Sequence, residues 1–387
     1  MKKVIAAAAG LMLVGAMVGT ASAAVSFGGD ARVRALYQSD YDLGATTTDE
    51  ETGAVSRVNE KENKVTQRYR LQARGEAAGG AYAIGRFRAG NGTWDGGNSG
   101  TTGVDADKAY IGVPMGMTEL IAGRFYYDLL KSTAFFDQDN GADGLEFKIM
   151  PTENATIGLW YFVDYEAFQN GDSVNDNDIN RYGIYADLSF AGGWSTRLGV
   201  FNEDNQLDAE DDVVTLDGAY GGIEFMGPAG PLAMSGALAF DDRTEEDTGY
   251  GGFLKGGMNF GATSVALNVG FTKDGFVTDG DFGFIMLGGG QSMSPSNLIL
   301  GKQGDTWWIG VPVSFAVSEM LTLQGNLAYA DFDENGDGFE ISGSAIYKIS
   351  DGCTVDLDVG YFAWSAPDSF DNEQDPFGAG LTFEVKF

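Results

Sequence analysis

The C-terminal end of the chain constrains the fold more than any other segment. Phe377, Ala379, Leu381, Phe383, Val385 and Phe387 alternate with Gly378, Gly380, Thr382, Glu384 and Lys386. Successive side chains of an extended strand point to opposite sides, so this segment has one apolar and one polar face. The same period recurs backwards along the chain. Val355, Leu357, Val359 and Tyr361 share a face, as do Leu321, Leu323, Leu327 and Tyr329. So do Val265, Leu267, Val269 and Phe271, then Tyr182, Ile184, Ala186, Leu188 and Phe190, then Ile157, Leu159, Tyr161 and Val163.

A soluble sandwich also contains half-buried strands, so the connections must decide. They alternate in kind. Gly79-Gly80, Pro114 to Met117, Pro151 to Asn154, Gly227 to Gly230 and Gly261-Ala262 are short. Ser39 to Lys64, Asn91 to Asp105, Tyr126 to Asp143, Glu166 to Asp178 and Asp274 to Gly304 are long, and many are acidic. Segments of about ten residues with dyad alternation, short turns at one end and long loops at the other are the pattern of an outer-membrane barrel. The class expected is all-β: a transmembrane antiparallel β-barrel of about 18 strands, with 16 as the alternative, periplasmic turns and outer loops.

The start of the chain agrees with export. Lys2 and Lys3 precede an apolar run from Val4 to Val18, and Ala21-Ser22-Ala23 supplies small residues for cleavage. This reads as a signal peptide over residues 1–23, cut after Ala23, with the barrel domain over 24–387. The run is shorter than the ~20 residues a spanning helix needs. Later apolar stretches are all broken within a few residues, and only helices and closed barrels satisfy their backbone inside lipid. The 58 glycines argue against long helices. A single cysteine rules out an internal disulfide framework. A formal charge of −32 makes nucleic acid a poor partner.

The chain has no histidine. That removes the His-dependent hydrolytic mechanisms of outer-membrane enzymes and the usual zinc sites. No enzyme activity, cofactor or metal is expected. Asp331, Asp333, Asn335, Gly336 and Asp337 resemble the start of a calcium loop, but Ser342 stands where that loop needs its Glu. A tight acidic turn is the plainer reading.

Lys108-Ala109-Tyr110-Ile111-Gly112-Val113 and Glu119-Leu120-Ile121-Ala122-Gly123-Arg124 resemble consecutive strands of a Gram-negative porin, the second leading into the third outer loop. The terminal Phe387 fits the same resemblance. The resemblance implies a third loop folded into the lumen, Phe387 recognised by the barrel assembly machinery, and a homotrimer in outer-membrane lipid and lipopolysaccharide. No Pro-Glu-Phe-Gly-Gly stretch follows Arg124, unlike the third loop of enteric porins.

Charge placement suggests how such a pore would work. Arg32, Arg34, Arg68, Arg70, Arg74, Arg86, Arg88 and Arg124 crowd the first third of the chain. Arg32 and Arg34 oppose Val33 and Ala35, and Arg68, Arg70 and Arg74 oppose Tyr69, Leu71 and Ala73. A charge on the lipid face costs about 2–4 kcal/mol near the midplane, so these arginines are expected to line the pore as a basic wall. Asp128, Asp137, Asp139 and Asp143 are the acidic candidates on the constriction loop. Acid facing base would create a transverse field at the eyelet; alternatively the arginines pair with lumen carboxylates and only solvate the wall. Phe135, Phe136, Trp160 and Phe162 are candidates for a sugar path or, more plainly, for a girdle or local packing. The function expected is passive diffusion of small hydrophilic solutes and ions, with acidic loops favouring cations against the arginine wall. A substrate-specific sugar or anion channel is the alternative, and a structural or adhesive barrel without an open pore is the rival class.

Overall fold

A computed structural model describes residues 24–40, 46–48, 55–57, 61–90, 104–132, 134–136, 141–165, 179–205, 217–243, 247–280, 282–287, 299–302, 304–333, 336–365 and 375–387. Residues 1–23 lie outside the described set, as do Asp137 and Asp139. The long strands, in chain order, are β1 (Ala24–Ser39), β4 (Lys61–Glu76), β5 (Tyr82–Ala89), β6 (Val104–Met115), β7 (Thr118–Phe125), β8 (Ala142–Thr152), β9 (Ala155–Tyr165), β10 (Ile179–Ser189), β11 (Ser195–Asn205) and β12 (Gly218–Ala229). They continue as β13 (Leu232–Asp241), β14 (Gly249–Phe260), β15 (Thr263–Lys273), β16 (Thr306–Ala316), β17 (Leu321–Phe332), β18 (Gly336–Ser350), β19 (Cys353–Ser365) and β20 (Phe377–Lys386). β2 (Thr46–Thr48) and β3 (Val55–Arg57) form a separate two-stranded ladder within the first long connection.

The eighteen long strands make one antiparallel sheet closed on itself. β1 pairs with β4 from Ala24 opposite Glu76 to Ser39 opposite Lys61. On its other edge β1 pairs with β20 from Asp30 opposite Lys386 to Ser39 opposite Phe377. The expected count of 18 therefore holds over 16. Connections of two to five residues alternate with connections that run up to the 274–305 loop, so loops and turns sort to opposite rims.

The alternation sets the two faces. In β20, Leu381, Phe383 and Val385 are 37–49% exposed, while Thr382 between them is 6% exposed. The outward phase carries Ile157, Leu159, Ile184, Leu198, Val200, Ile223, Leu267, Ile309, Leu327 and Ile341 around the wall, all exposed. Near the loop end, outward aromatics form a girdle capped by polar groups on neighbouring strands. Tyr161 donates to Asn180 (2.9 Å), Tyr182 to Asp204 (3.2 Å), Tyr329 to Asp337 (2.7 Å) and the Trp307 indole to Asp331 (3.2 Å). Amphipathic rings at interface height, apolar body inward to lipid and polar tip to water, are the expected arrangement.

The packed core lies inside the barrel. Wall aromatics Trp160, Phe162, Phe201, Tyr220, Trp308 and Phe362 are 0–5% exposed and form one cluster with apolar residues of the third and seventh outer loops. One ladder irregularity matters for the interior. Between Arg86 and Phe87 the pairing skips from Lys108 to Ala106, leaving Asp107 as an extra residue in β6. A bulge re-aims side chains, and here Asp107 and Lys108 both reach Arg86 or Tyr126 on the inner side.

Closure ends on the terminal residue. The Phe387 N–H donates to the Gly29 carbonyl (3.0 Å), and the Gly29 N–H donates to the Phe387 carbonyl (2.8 Å). A Cβ on Gly29 would stand 2.3 Å from the Arg70 carbonyl oxygen and 2.8 Å from the Phe387 ring. Gly29→Val is therefore expected to destabilise the seam by about 1–3 kcal/mol, the usual cost of forcing atoms into a filled site. Urea unfolding of the refolded barrel measures this. Gly75→Ala, where a Cβ meets nothing within 4 Å, is expected to leave the midpoint unchanged.

Candidate functional site: an asymmetric lumen

Two outer loops fold into the barrel and divide its interior. The third loop begins at Tyr126, and its described part carries Tyr127, Leu129, Leu130, Ala134, Phe135 and Phe136, all buried. The seventh loop carries Phe276, Phe282, Phe284, Ile285, Met286 and Leu287, also buried. The loops join each other. The Asp279 N–H donates to the Ala134 carbonyl (3.0 Å). Phe135 meets Phe276 edge-on at 5.2 Å and Phe282 at 6.2 Å.

Both loops rest on the wall from β9 to β19. Tyr127 stacks on Phe162 at 4.0 Å, Trp160 stacks on Phe201 at 5.0 Å, and Phe282 lies 4.7 Å from Trp308. Inward glycines receive the loop side chains. A Cβ at Gly199 would collide with Leu129, at Gly251 with Phe276, at Gly310 with Phe284 and at Gly360 with Met286, each within 2.6 Å. Polar anchors complete the seat. Glu224 of β12 accepts from the Lys131 and Ser132 N–H groups (2.6 and 2.9 Å). Glu340 of β18 accepts from the Ile285, Met286 and Leu287 N–H groups (2.7, 3.1 and 2.8 Å). Arg197 donates to the Asp128 carbonyl while paired to Asp187 (2.8 Å), and Lys131 reaches the same carboxylate (3.2 Å).

The opposite wall, β20–β1–β4–β5–β6, carries the charge. Arg32, Arg34, Arg68, Arg70, Arg74, Arg86 and Arg88 share the inward phase. Val25, Phe27, Tyr69 and Leu71 occupy the outward phase of the same strands and are exposed. Along β4 the arginines at 68, 70 and 74 form a column down the strand. Asp30 bridges Arg68 (3.1 Å) and Arg70 (2.7 Å), and Glu384 lies 3.9 Å from Arg68. Arg86 binds Asp107 through two bonds of 2.8 Å. Arg74 lies 4.1 Å over the Tyr82 ring and pairs with Glu76 (3.2 Å). Arg34 donates to the Thr382 hydroxyl (3.2 Å). Arg32, Arg34 and Arg88 have no carboxylate within ion-pair distance among the described residues.

The register places like charges face to face. Arg32 stands directly opposite Arg68, and Arg70 directly opposite Arg88. Directly opposed like charges destabilise a ladder. Asp30 offsets only part of this. At the loop edge of the wall, Tyr126 donates to Asp107 (3.0 Å) and its ring sits 4.8 Å from the Lys108 ammonium. Burial, helped by the Asp107 carboxylate, raises the Tyr126 phenol above its ordinary value, so it remains a donor at neutral pH.

Several expected site residues lie elsewhere. Arg124 and Asp143 pair with each other through bonds of 3.1 and 2.6 Å. They occupy the outward phase of β7 and β8, opposite Ala109 and Val163, and are 44% and 56% exposed. The inward positions of β7 belong to Glu119, Ile121 and Phe125. Arg124 is thus outside the lumen, and Asp143 is in a strand rather than in the constriction loop. The cost of a charge outside the barrel is relieved because the pair sits at the loop rim, away from the midplane. Asp128 is exposed on the third loop. Asp137 and Asp139 fall outside the described residues. Trp160 and Phe162 lie buried beneath the loops, and Phe135 and Phe136 lie buried on the third loop itself, an arrangement of local packing. Among the described residues no cluster of His, Cys, Asp or Glu could hold a metal ion.

Sequence reasoning missed the seventh loop and the anchors Glu224 and Glu340. A signal for the loop was present: the apolar run Phe282 to Leu287 inside a connection otherwise rich in Gly, Asp and Ser.

A family model described as Gram-negative porin matches residues 6–335. Comparison with curated proteins finds no match. Among solved structures, the outer membrane protein OpdK of Pseudomonas aeruginosa aligns with a TM-score of 0.59 at 13% identity, covering 94% of this chain and 98% of that one. A BenF-like porin of Pseudomonas fluorescens Pf-5 aligns at 0.56 and 13%, covering 94% and 99%. OccK2 of P. aeruginosa, solved in complex with glucuronate, aligns at 0.58 and 12%, covering 94% and 98%. At these identities the likeness speaks to the fold, a closed 18-stranded outer-membrane barrel.

Packing and solute passage separate in a test on the covered wall. Trp160→Ala and Phe162→Ala are expected to cost about 3–5 kcal/mol of stability, as for other buried aromatic truncations. The thermal midpoint measures this. Block of the ion current by sugars is expected to stay as in the native protein; weaker block at an unchanged midpoint would restore the sugar path.

Proposed function

The chain belongs to the Gram-negative porin family, and on that premise we propose that it passes small hydrophilic solutes passively between the loop partition and the basic wall, with small anions, carboxylates among them, favoured over cations. The observation that carries the preference is the cross-strand opposition of Arg32 to Arg68 and Arg70 to Arg88. A wall selected for stability alone would pair all four guanidiniums with carboxylates, whereas Asp30 and Glu384 serve only Arg68 and Arg70; lumen charges of one sign tune which ions enter. Spaced down β4, the arginines offer a migrating carboxylate a new partner every two or four residues. An OpdK structure with vanillate and the OccK2 complex with glucuronate make organic acids reasonable probes here. This reading replaces the cation preference drawn from the acidic outer loops.

The protein acts as a channel rather than an enzyme in this reading, since its family and fold are those of channels. The outer membrane is its compartment. We further propose that residues 1–23 are a cleaved export signal, that Phe387 is the residue read by the barrel assembly machinery, and that the barrel stands as a homotrimer among lipopolysaccharide. The paired seam at Gly29 and Phe387 supports the second of these.

Purified protein in a planar bilayer is expected to give discrete conductance steps and, under a KCl gradient, a reversal potential of the sign set by chloride. Benzoate should block the current at lower concentration than a neutral sugar does. Arg70→Gln combined with Arg88→Gln should move the reversal potential toward the potassium side, while Arg124→Gln should not move it. Absence of steps would sink the channel reading; a native potential of the potassium sign would sink the anion preference.

A further inference from the structure

We propose that Glu224 and Glu340 are positioning residues that set the width and the selectivity of the passage from behind, without touching it. Both sit on the inward phase of the wall that the loops cover, 2% and 0% exposed. Each accepts from consecutive backbone N–H groups of an infolded loop: Lys131 and Ser132 on Glu224, and Ile285, Met286 and Leu287 on Glu340. A loop turned into a barrel carries backbone donors away from water, and each one needs an acceptor. A carboxylate serves several at once through charge-assisted bonds. The Ser342 hydroxyl also donates to Glu340, and Asn326 donates to Ser342 (3.1 Å), so the Glu340 side chain is itself held in place.

The two pins act on one body. The Asp279–Ala134 backbone bond and the Phe135, Phe276 and Phe282 contacts join the loops. Leu129, Phe276, Phe284 and Met286 seat that body in the glycine sockets of the wall. The edge facing Arg68, Arg70 and Arg88 is therefore fixed by groups on the far side of the lumen. Loss of one pin lets the partition move away from the basic wall. Widening weakens the hold of the wall charges on passing ions, because field strength at a constriction falls as water fills it.

The experiment uses the full-length protein in planar bilayers, with Glu340→Gln, Glu224→Gln and the double variant. Each amide keeps the shape but loses the charge and one acceptor. Each single variant is expected to raise the open-channel current, flicker between levels, and move the reversal potential under a KCl gradient toward zero. The double variant is expected to do little more than either single one, since coupled sites are not additive. A residue that only stabilised the barrel would lower the thermal midpoint and leave the reversal potential of the surviving channels as it was. If a variant fails to give a heat-modifiable barrel, Met286→Ala tests the same seat from the loop side, with the same direction of change expected. Folded variants with native current, native noise and native reversal potential overturn the inference. It rests on the channel reading, yet fails separately: no steps from the native protein counts against that reading, whereas native steps that the variants do not alter count against the pins.

Discussion

The structure depends on one requirement, that no backbone N–H or C=O be left unpaired where lipid surrounds the wall. The ladder meets it only by closing, and the closure runs through β1, which pairs with β4 on one edge and β20 on the other. The alternation of apolar and polar residues is a consequence. Once every strand is in the ring, one face meets lipid and the other meets the interior, with no second sheet to pack on. The core that a sandwich would build between sheets has to come from elsewhere. Here it comes from the third and seventh loops, whose buried phenylalanines fill the space beside β9 to β19.

Bringing loops inside creates a second pairing problem of the same kind. Loop backbone in the lumen no longer has bulk water for all its donors, and it has no ladder. The wall answers with side chains: Glu224 and Glu340 to consecutive N–H groups, Arg197 to a carbonyl, and the Asn268 amide to the Phe282 carbonyl (3.1 Å). Glycines at Gly199, Gly251, Gly310 and Gly360 let the loops come close enough to use these partners. The interior is therefore divided by chemistry. On the covered side, charges are neutralised and serve packing, as where Arg243 binds Asp241 (2.7 Å) and Glu203 (3.0 Å). On the open side, like charges face each other across β1, β4 and β5.

Much of this was legible from periodicity, and the failures have identifiable causes. Strand phase follows directly where a strand has one apolar face, which is why Arg32, Arg34, Arg68, Arg70 and Arg74 could be placed inward. β7 has Leu120 on one face and Ile121 and Phe125 on the other, because its inner face also carries buried apolar side chains. Apolar residues on both sides erase the phase, and Arg124 was put on the wrong side. Asp107 was invisible for another reason. A bulge changes the phase by one residue and leaves no mark in composition. The anchors Glu224 and Glu340 look in sequence like any polar inward residue. Their role appears only when the loop they hold is seen to lie against them, which is a long-range fact with no local signature.

Under the proposed anion preference, the net charge of the chain is a poor guide to the ions it passes, and the reason is distance. At physiological salt, charges in water are screened beyond about 8 Å. Acidic groups such as Asp204, Asp331 and Asp337 sit at the outer rim, where they bind girdle tyrosines and tryptophan or face solvent. Their field reaches the narrow part of the lumen strongly weakened. The guanidiniums of Arg32, Arg68, Arg70 and Arg88 lie on the inward phase of the wall itself, beside low-dielectric protein that screens less than water. A chain with a formal charge of −32 is thus compatible with an anion-favouring passage. In the proposed reading, selectivity is decided by which charges line the lumen, and that depends on strand phase and on how firmly the loops are held against the far wall.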